Sequence, residues 1–201
     1  IYKGISPILA AVLVVAFTTV VTMCMVDGIT KKSVAAMLGT IIGVVFSGAF
    51  ALIFGQVTSI TGYNVSDIEN LVYVGEMTDI KIGELLFAGI LIASLGAVMD
   101  VGMSIASTLN ELKEQNPQMM LKELFQSGMN VGRDMMGTMT NTLILAFTGG
   151  SINTLVFIFA YNYEYQQVIN MYSVGIEIMQ GLSSSLGVIM AVPVTSWIAA
   201  F

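Results

Sequence analysis

The sequence predicts an all-α fold, a polytopic bundle of about five transmembrane helices, from its composition and the length of its apolar runs. Hydrophobic residues make up 56% of the 201-residue chain and charged residues only 10%, whereas soluble domains average about 25% charged residues. So little polar surface cannot cover a globule in water. Several runs without charge also reach the roughly 20 residues that a helix needs to cross the hydrocarbon core.

Five apolar segments predict a single transmembrane domain over residues 1–201. The predicted helices cover about residues 7–26, 33–57, 85–109, 135–159 and 174–200. The stretch "VDGITKK" after the first run is not a small-residue cleavage site, so this run is not read as a signal peptide. The chain does not begin with Met, and we expect an N-terminal part of the full protein, with one more helix, to be missing.

Lysine and arginine are unevenly distributed among the loops, which predicts the orientation of the helices. Two loops carry the bases Lys31, Lys32, Lys113, Lys122 and Arg133. The two loops that alternate with them carry only Lys81. The positive-inside rule therefore predicts a multi-pass protein of the cell membrane with its N-terminus outside and its C-terminus in the cytoplasm.

The basic loop before the fourth segment predicts an additional helix over about residues 117–128. Asn116 is a favourable N-cap, and Pro117 suits the first helical position. Apolar residues then repeat at helical spacing, from Met120 to Phe125. This pattern indicates either an amphipathic helix at the cytoplasmic interface or a packed connector between two helices.

The acidic loop between the second and third segments predicts a short helix over about residues 66–72. Ser66 is followed three residues later by Glu69, which is the spacing of a capping box. Small residues within the membrane segments, such as the GxxxG pair Gly39 and Gly43, indicate close packing of helices more than a substrate site.

Asp100 is the least expected residue, because it stands alone between two apolar stretches of the third segment. A charge near the bilayer centre costs at least about 2.5 kcal/mol. The helical rise places it roughly 20–25 Å from the outer end of the segment, and Ser104 follows on the same helical face. A carboxylate here can load a proton or ligate a cation, or it can form a static hydrogen bond that fixes the bundle.

Two more segments present polar faces, and we expect all three to meet around a hydrated path sheltered from lipid, with the first two segments more peripheral. The candidate proton or cation relay is Asp100, Ser104, Thr138, Asn141, Glu177 and Ser184. Arg133 and Asp134 are expected at the inner interface as a structural or gating charge pair.

Enzymatic activity is not expected. The chain has no histidine and one cysteine, Cys24, and neither HExxH nor GxSxG occurs. We therefore expect no metal and no cofactor. The expected partners are the lipid bilayer and either further copies of the chain or a paired membrane subunit, and no nucleic acid.

Three blocks resemble the YibE/F-like family of bacterial membrane proteins: "LGAVMDVGMSIASTLNEL", "SGMNVGRDMMGTMTNTLILAF" and "GLSSSLGVIMAVPVTSWIA". This resemblance covers most of the chain and implies a location in the bacterial inner membrane. Less closely, the order of the motifs is similar to the membrane core of the export factor SecF, within the resistance-nodulation-division (RND) class. That similarity implies roles for Asp100, for Arg133 before "GTMTNT", and for Ser184, Ser185 and Pro193.

The chain also departs from the SecF pattern. Met99 and Val101 flank Asp100 where that family has Asn and Thr, and Ala106 and Ser107 replace a second Asp-Arg pair. The large extracytoplasmic domain of that family is absent from this sequence. The resemblance therefore implies a proton-driven machine but no cargo.

These observations predict a membrane transporter or export-assisting protein that is coupled to protons or cations. The alternative is a membrane scaffold or assembly subunit that transports nothing and whose buried acids are structural.

Overall fold

The computed structural model describes residues 4–63 and 68–201, and these residues form helices and loops without a β-strand. The helices are α1 (Pro7–Asp27), α2 (Lys31–Thr58), α3 (Ile68–Met77), α4 (Leu85–Gln115), α5 (Leu121–Gly150), α6 (Ile152–Ala160), α7 (Tyr165–Ile169) and α8 (Tyr172–Ala200). A 3-10 turn, Ile82–Glu84, leads into α4. The predicted all-α fold is confirmed.

Four of these helices, α1, α2, α4 and α8, are long and apolar enough to cross a membrane. A fifth span forms if α5 and α6 are counted together, since they are separated by one residue and bent by 54°. The bend follows the sequence Gly149-Gly150-Ser151, and such Gly and Ser residues are a usual cause of kinks. The prediction of about five transmembrane helices is confirmed.

The centre of the bundle is formed by α2 and α8, which pack more extensively against each other than any other pair, and both contact α4. On the outside, α1 lies against α2 and α4, while α5 lies against α8 and α4. The expectation that the first two segments are peripheral is therefore wrong for α2.

Small residues explain why α2 is central. A methyl group built on Gly43 would stand 2.8 Å from the Ala191 side chain and 3.0 Å from the Gly187 carbonyl of α8. One turn away on α2, Gly39 packs directly against Thr195 of α8. Backbones that approach this closely gain dispersion energy in lipid, where apolar burial gives little. The packing role predicted for Gly39 and Gly43 is confirmed.

The predicted separate helix over about 117–128 is wrong. Asn116 instead terminates α4, whose last turn it caps through its backbone N–H, and Pro117 lies in the turn that follows. From Leu121, α5 continues unbroken to Gly150. The physical reason is burial: Leu124 is 1% exposed and packs in the same core cluster as Leu109 of α4, so the apolar face meets protein and not the membrane surface.

At the end of the bundle away from the α4–α5 connection, a hydrogen bond joins the first helix to α4. The Ser6 hydroxyl donates a hydrogen bond to the Glu84 carboxylate, which ties the start of α1 to the start of α4. Between α3 and the end of α2, Ser66 lies outside the described residues, so its predicted capping box with Glu69 is not seen; α3 itself covers Ile68–Met77.

Candidate functional site

Asp100 lies midway along the 31-residue α4, on the exposed side of the helix. It forms no hydrogen bond or ion pair with any residue in the described ranges. Val98 and Val101, its near neighbours on the helix, are both 0% exposed and occupy the face that packs into the bundle. Because 3.6 residues make one turn, that packing turns Asp100 outward. The expected shelter inside the bundle is therefore wrong for the single chain.

The surface around Asp100 on α4 is open. Gly89 and Gly96 precede it on the same side of the helix, and a methyl group built on either glycine would meet nothing within 4 Å. Ser104 follows one turn later and is half-buried.

Two further candidates, Thr138 and Asn141, are exposed on α5. The depth of α5 is fixed by two contacts, since Gly128 abuts Leu109 and Gly132 abuts Ile105. Extending this antiparallel register along both helices places Thr138 at about the depth of Asp100. The Thr138 hydroxyl donates to a carbonyl of its own helix, that of Met135, over 3.0 Å.

Arg133 and Asp134 lie well inside α5 and not at its beginning, because the helix begins at Leu121. Both are exposed. The ion pairs among the described residues join Lys32 to Asp27 and Lys81 to Glu84, so Arg133 is not paired with Asp134 there. The same register places Arg133 about one turn to the cytoplasmic side of Asp100, if the loop before α5 is cytoplasmic.

These groups form one set of exposed polar residues on the neighbouring helices α4 and α5, at the depth of the apolar spans. We call it the α4–α5 polar face and define it as Asp100, Arg133, Asp134, Gly137, Thr138 and Asn141. Every one of these residues is exposed. A charged side chain directed at acyl chains is costly, so this face requires a protein or water cover that the single chain does not provide.

Ser184 occupies a different place, in the core, with 0% exposure. It is one of a set of buried hydroxyls that have no hydrogen-bond partner among the described residues. The set is Thr40, Ser47, Ser183, Ser184, Thr195 and Ser196. Other buried hydroxyls do bond to their own helix: Thr19 donates to the Val15 carbonyl over 2.7 Å, and Ser185 donates to the Gly181 carbonyl over 2.8 Å.

These unpartnered hydroxyls all lie on α2 and α8, so we call them the hydroxyl seam. Two of its members meet α4 at Gly102. A methyl group built on Gly102 would stand 2.9 Å from Thr40 Oγ1, 3.4 Å from the Ala36 carbonyl oxygen and 3.7 Å from Thr195 Oγ1. Of this seam, only Ser184 is predicted as a site residue from the sequence. The signal for the others is the presence of Ser and Thr on the same helices as the small residues.

Glu177 occupies a third place, in the first turns of α8. It is half-buried and lines a cavity of about 300 Å³ between α8 and the bend that joins α5 to α6. Apart from the half-buried Ser104, which follows Asp100 on α4, the predicted relay thus falls into three separate places: the α4–α5 polar face, the hydroxyl seam and this cavity. The expected single path through the bundle does not form within one chain.

Metal ligands do not cluster in the described part of the chain, where no three His, Cys, Asp or Glu side chains come together.

Comparison with known proteins gives one match. A family model described as YibE/F-like protein matches residues 1–201. Neither the curated proteins nor the solved structures include a match. The match agrees with the first resemblance drawn from the sequence, and the second, to SecF and the RND class, finds no support in these comparisons.

Proposed function

The chain belongs to the YibE/F-like family, and we propose that it is a proton- or cation-coupled transporter or export-assisting protein whose coupling group is Asp100. Its long apolar helices make it a multi-pass membrane protein. The observation that carries the proposal is the carboxylate of Asp100, which is exposed midway along a membrane span and has no ion-pair partner among the residues that the structure describes. Such a costly group is by default functional in a membrane protein.

The chemistry requires a group that changes charge and neighbours that tolerate both states. A carboxylate accepts hydrogen bonds when ionised and donates one when protonated. Thr138 and Asn141 lie at similar depth on the neighbouring helix and offer both donors and acceptors. Ser104, one turn along α4, extends the polar positions toward the expected cytoplasmic side.

A second part of the proposal is that the α4–α5 polar face is covered by another copy of the chain or by a paired membrane subunit. A two-fold axis along the membrane normal would place equal depths of two copies together. Arg133 of one copy would then lie within about 6 Å in depth of Asp100 of the other, which is one helical turn. Opposite charges at that separation along the membrane normal can form an ion pair, which lowers the free-energy cost of placing each charge in the membrane.

The orientation remains part of the proposal as well. The distribution of Lys31, Lys32, Lys113 and Lys122 supports an outside N-terminus and a cytoplasmic C-terminus. We propose transport and not catalysis, because the chain lacks histidine and any recognised nucleophile motif. No nucleic acid or cofactor enters the proposal.

The alternative function is a scaffold or assembly subunit that transports nothing. The same exposed face favours it, since a polar surface in the membrane also serves to recruit a partner without any flux. Flux therefore separates the two functions, and assembly does not.

The test is proton and cation flux in proteoliposomes that contain the purified protein. We expect flux from the wild type, loss of flux in Asp100→Asn, and retained flux in Asp134→Asn, a matched acid on the same face. Size-exclusion chromatography and melting temperature report whether each variant is folded. A folded Asp100→Asn protein with wild-type flux, or a wild type without flux, would leave the scaffold as the better function.

A further inference from the structure

The cavity at the bend between α5 and α6 has walls that suit an apolar molecule. It measures about 300 Å³, at the lower end of the range of roughly 300–1,000 Å³ for small-molecule sites. Its apolar lining comes from three helices: Ile144, Phe147, Leu155, Val174, Ile178 and Leu182. Phe147 adds an aromatic ring, whose face attracts cations.

Two of the four hydroxyl groups in the wall already have hydrogen-bond partners. The Thr148 hydroxyl donates to the Ile144 carbonyl over 2.8 Å, and the Ser151 hydroxyl donates to the Phe147 carbonyl over 3.1 Å. Both are therefore satisfied by backbone carbonyls of α5 and need no ligand. The cavity surface that remains is almost wholly apolar.

Glu177 supplies the charged group of this lining. It is half-buried and forms no ion pair or hydrogen bond within residues 4–63 and 68–201. The whole stretch of residues 134–201, which provides α6, α8 and most of the wall, contains no Lys or Arg. An apolar cavity with one negative charge and no neighbouring base is complementary to a positive charge on an apolar body.

We propose that this cavity binds an amphipathic cation, such as a hydrophobic ammonium or phosphonium ion. The apolar body fills the space beside Phe147 and Ile178, and the positive charge pairs with the Glu177 carboxylate. An ion pair beside apolar walls is stronger than one in water because the local dielectric constant is lower. This inference concerns binding alone, and it depends neither on transport nor on Asp100.

A lipid acyl chain is the competing occupant. It would fill the same apolar space but would gain nothing from Glu177. The sign of the ligand's charge therefore separates the two occupants, and two ions of the same shape and opposite charge provide the probe: tetraphenylphosphonium and tetraphenylborate.

The experiment is equilibrium dialysis of each ion against the purified full chain in detergent, with empty micelles as the baseline. We expect the wild type to bind the cation at least about tenfold more tightly than the anion. Glu177→Gln should remove most of this preference. Glu76→Gln, a matched loss of one exposed carboxylate on α3, should leave it unchanged.

A cavity-filling variant gives a second, independent measurement. Gly181 lies in the cavity wall, and a methyl group built on it would stand 3.7 Å from the Phe147 ring. Gly181→Leu should reduce cation binding with Glu177 still present.

Equal binding of both ions by the wild type would overturn the proposal and indicate an apolar site only. A cation preference that survives in folded Glu177→Gln would overturn it too. Asp100→Asn should bind the cation like the wild type, so failure of the transport proposal would remain distinguishable.

Discussion

Thr195 Oγ1 of α8 lies so close to Gly39 of α2 that it would overlap a methyl group built on Gly39. The backbone of α2 can therefore reach α8 at this point only without a side chain. Since α2 and α8 form the centre of the bundle, this contact is a condition for the fold as a whole.

The first prediction follows from that contact. Gly39→Ala should lower stability by about 1–3 kcal/mol, the usual cost of overpacking a core, because the added methyl must displace α8. The measurement is the melting temperature of the purified protein in detergent. Gly89→Ala is the matched control, since its methyl would meet nothing within 4 Å. Equal melting temperatures for the two variants would show that α2 and α8 do not pack this closely.

The second prediction concerns the hydroxyl seam. Thr40 Oγ1 is buried and has no hydrogen-bond partner in the described part of the chain, so Thr40→Val, which keeps the shape, should be neutral or stabilising. Thr19→Val removes a hydroxyl that donates to the Val15 carbonyl and should cost about 1 kcal/mol. Melting temperatures compare the two. Destabilisation by Thr40→Val that matches or exceeds that of Thr19→Val would reveal a partner, such as an ordered water or a cation.

The sequence predicted the spans well because hydropathy depends only on whether a segment suits lipid. It could not predict which side of each helix faces the core. In a membrane both sides are apolar, so Val98, which is buried, and Ile92, which is exposed, look alike in the sequence. For this reason Asp100 was expected inside the bundle and lies on its outside.

The errors in α5 have a different cause. Asn116 and Pro117 form a strong local start signal, but the helix begins at Leu121 instead. There the Glu123 carboxylate accepts a hydrogen bond from the Met120 backbone N–H, and Leu124 is buried against the bundle. The break after Gly150 was marked in the sequence by two glycines and a serine. A hydropathy pattern does not detect such a break, because apolar residues continue on both sides of it. The cavity with Glu177 depends on that break and could not be predicted without it.

The third prediction tests whether a second copy covers the α4–α5 polar face. In a Cys24→Ser background, Gly96→Cys should form an oxidant-dependent disulfide between two copies in membranes, because it lies in open space beside Asp100 and a disulfide needs Cα atoms within about 7 Å. Leu13→Cys, 62% exposed on α1, should form none. Electrophoresis without reductant measures both.

If cysteines at Gly89, Gly96 and Gly137 all stay monomeric in that assay, two copies do not bring these positions within disulfide distance of each other, and the predicted contact is wrong. The cover of the face would then have to come from water or from another membrane subunit.

The last prediction concerns the charges themselves. If Asp100 of one copy pairs with Arg133 of another, neutralising either residue alone strands its partner in a low-dielectric interface, which typically costs about 2–5 kcal/mol of association. Asp100→Asn and Arg133→Gln should therefore each weaken the dimer. The double variant leaves neither charge unpaired. Its loss of association free energy should therefore be smaller than the sum of the losses in the two single variants. Dimer fractions in detergent, measured over a range of protein-to-detergent ratios, give the three free-energy changes.

Asp134→Asn with Arg133→Gln is the control pair and should show no such coupling. Strictly additive losses for Asp100 and Arg133 would mean that the two charges do not meet across the interface, and the cover of Asp100 would then have to come from water or from another subunit.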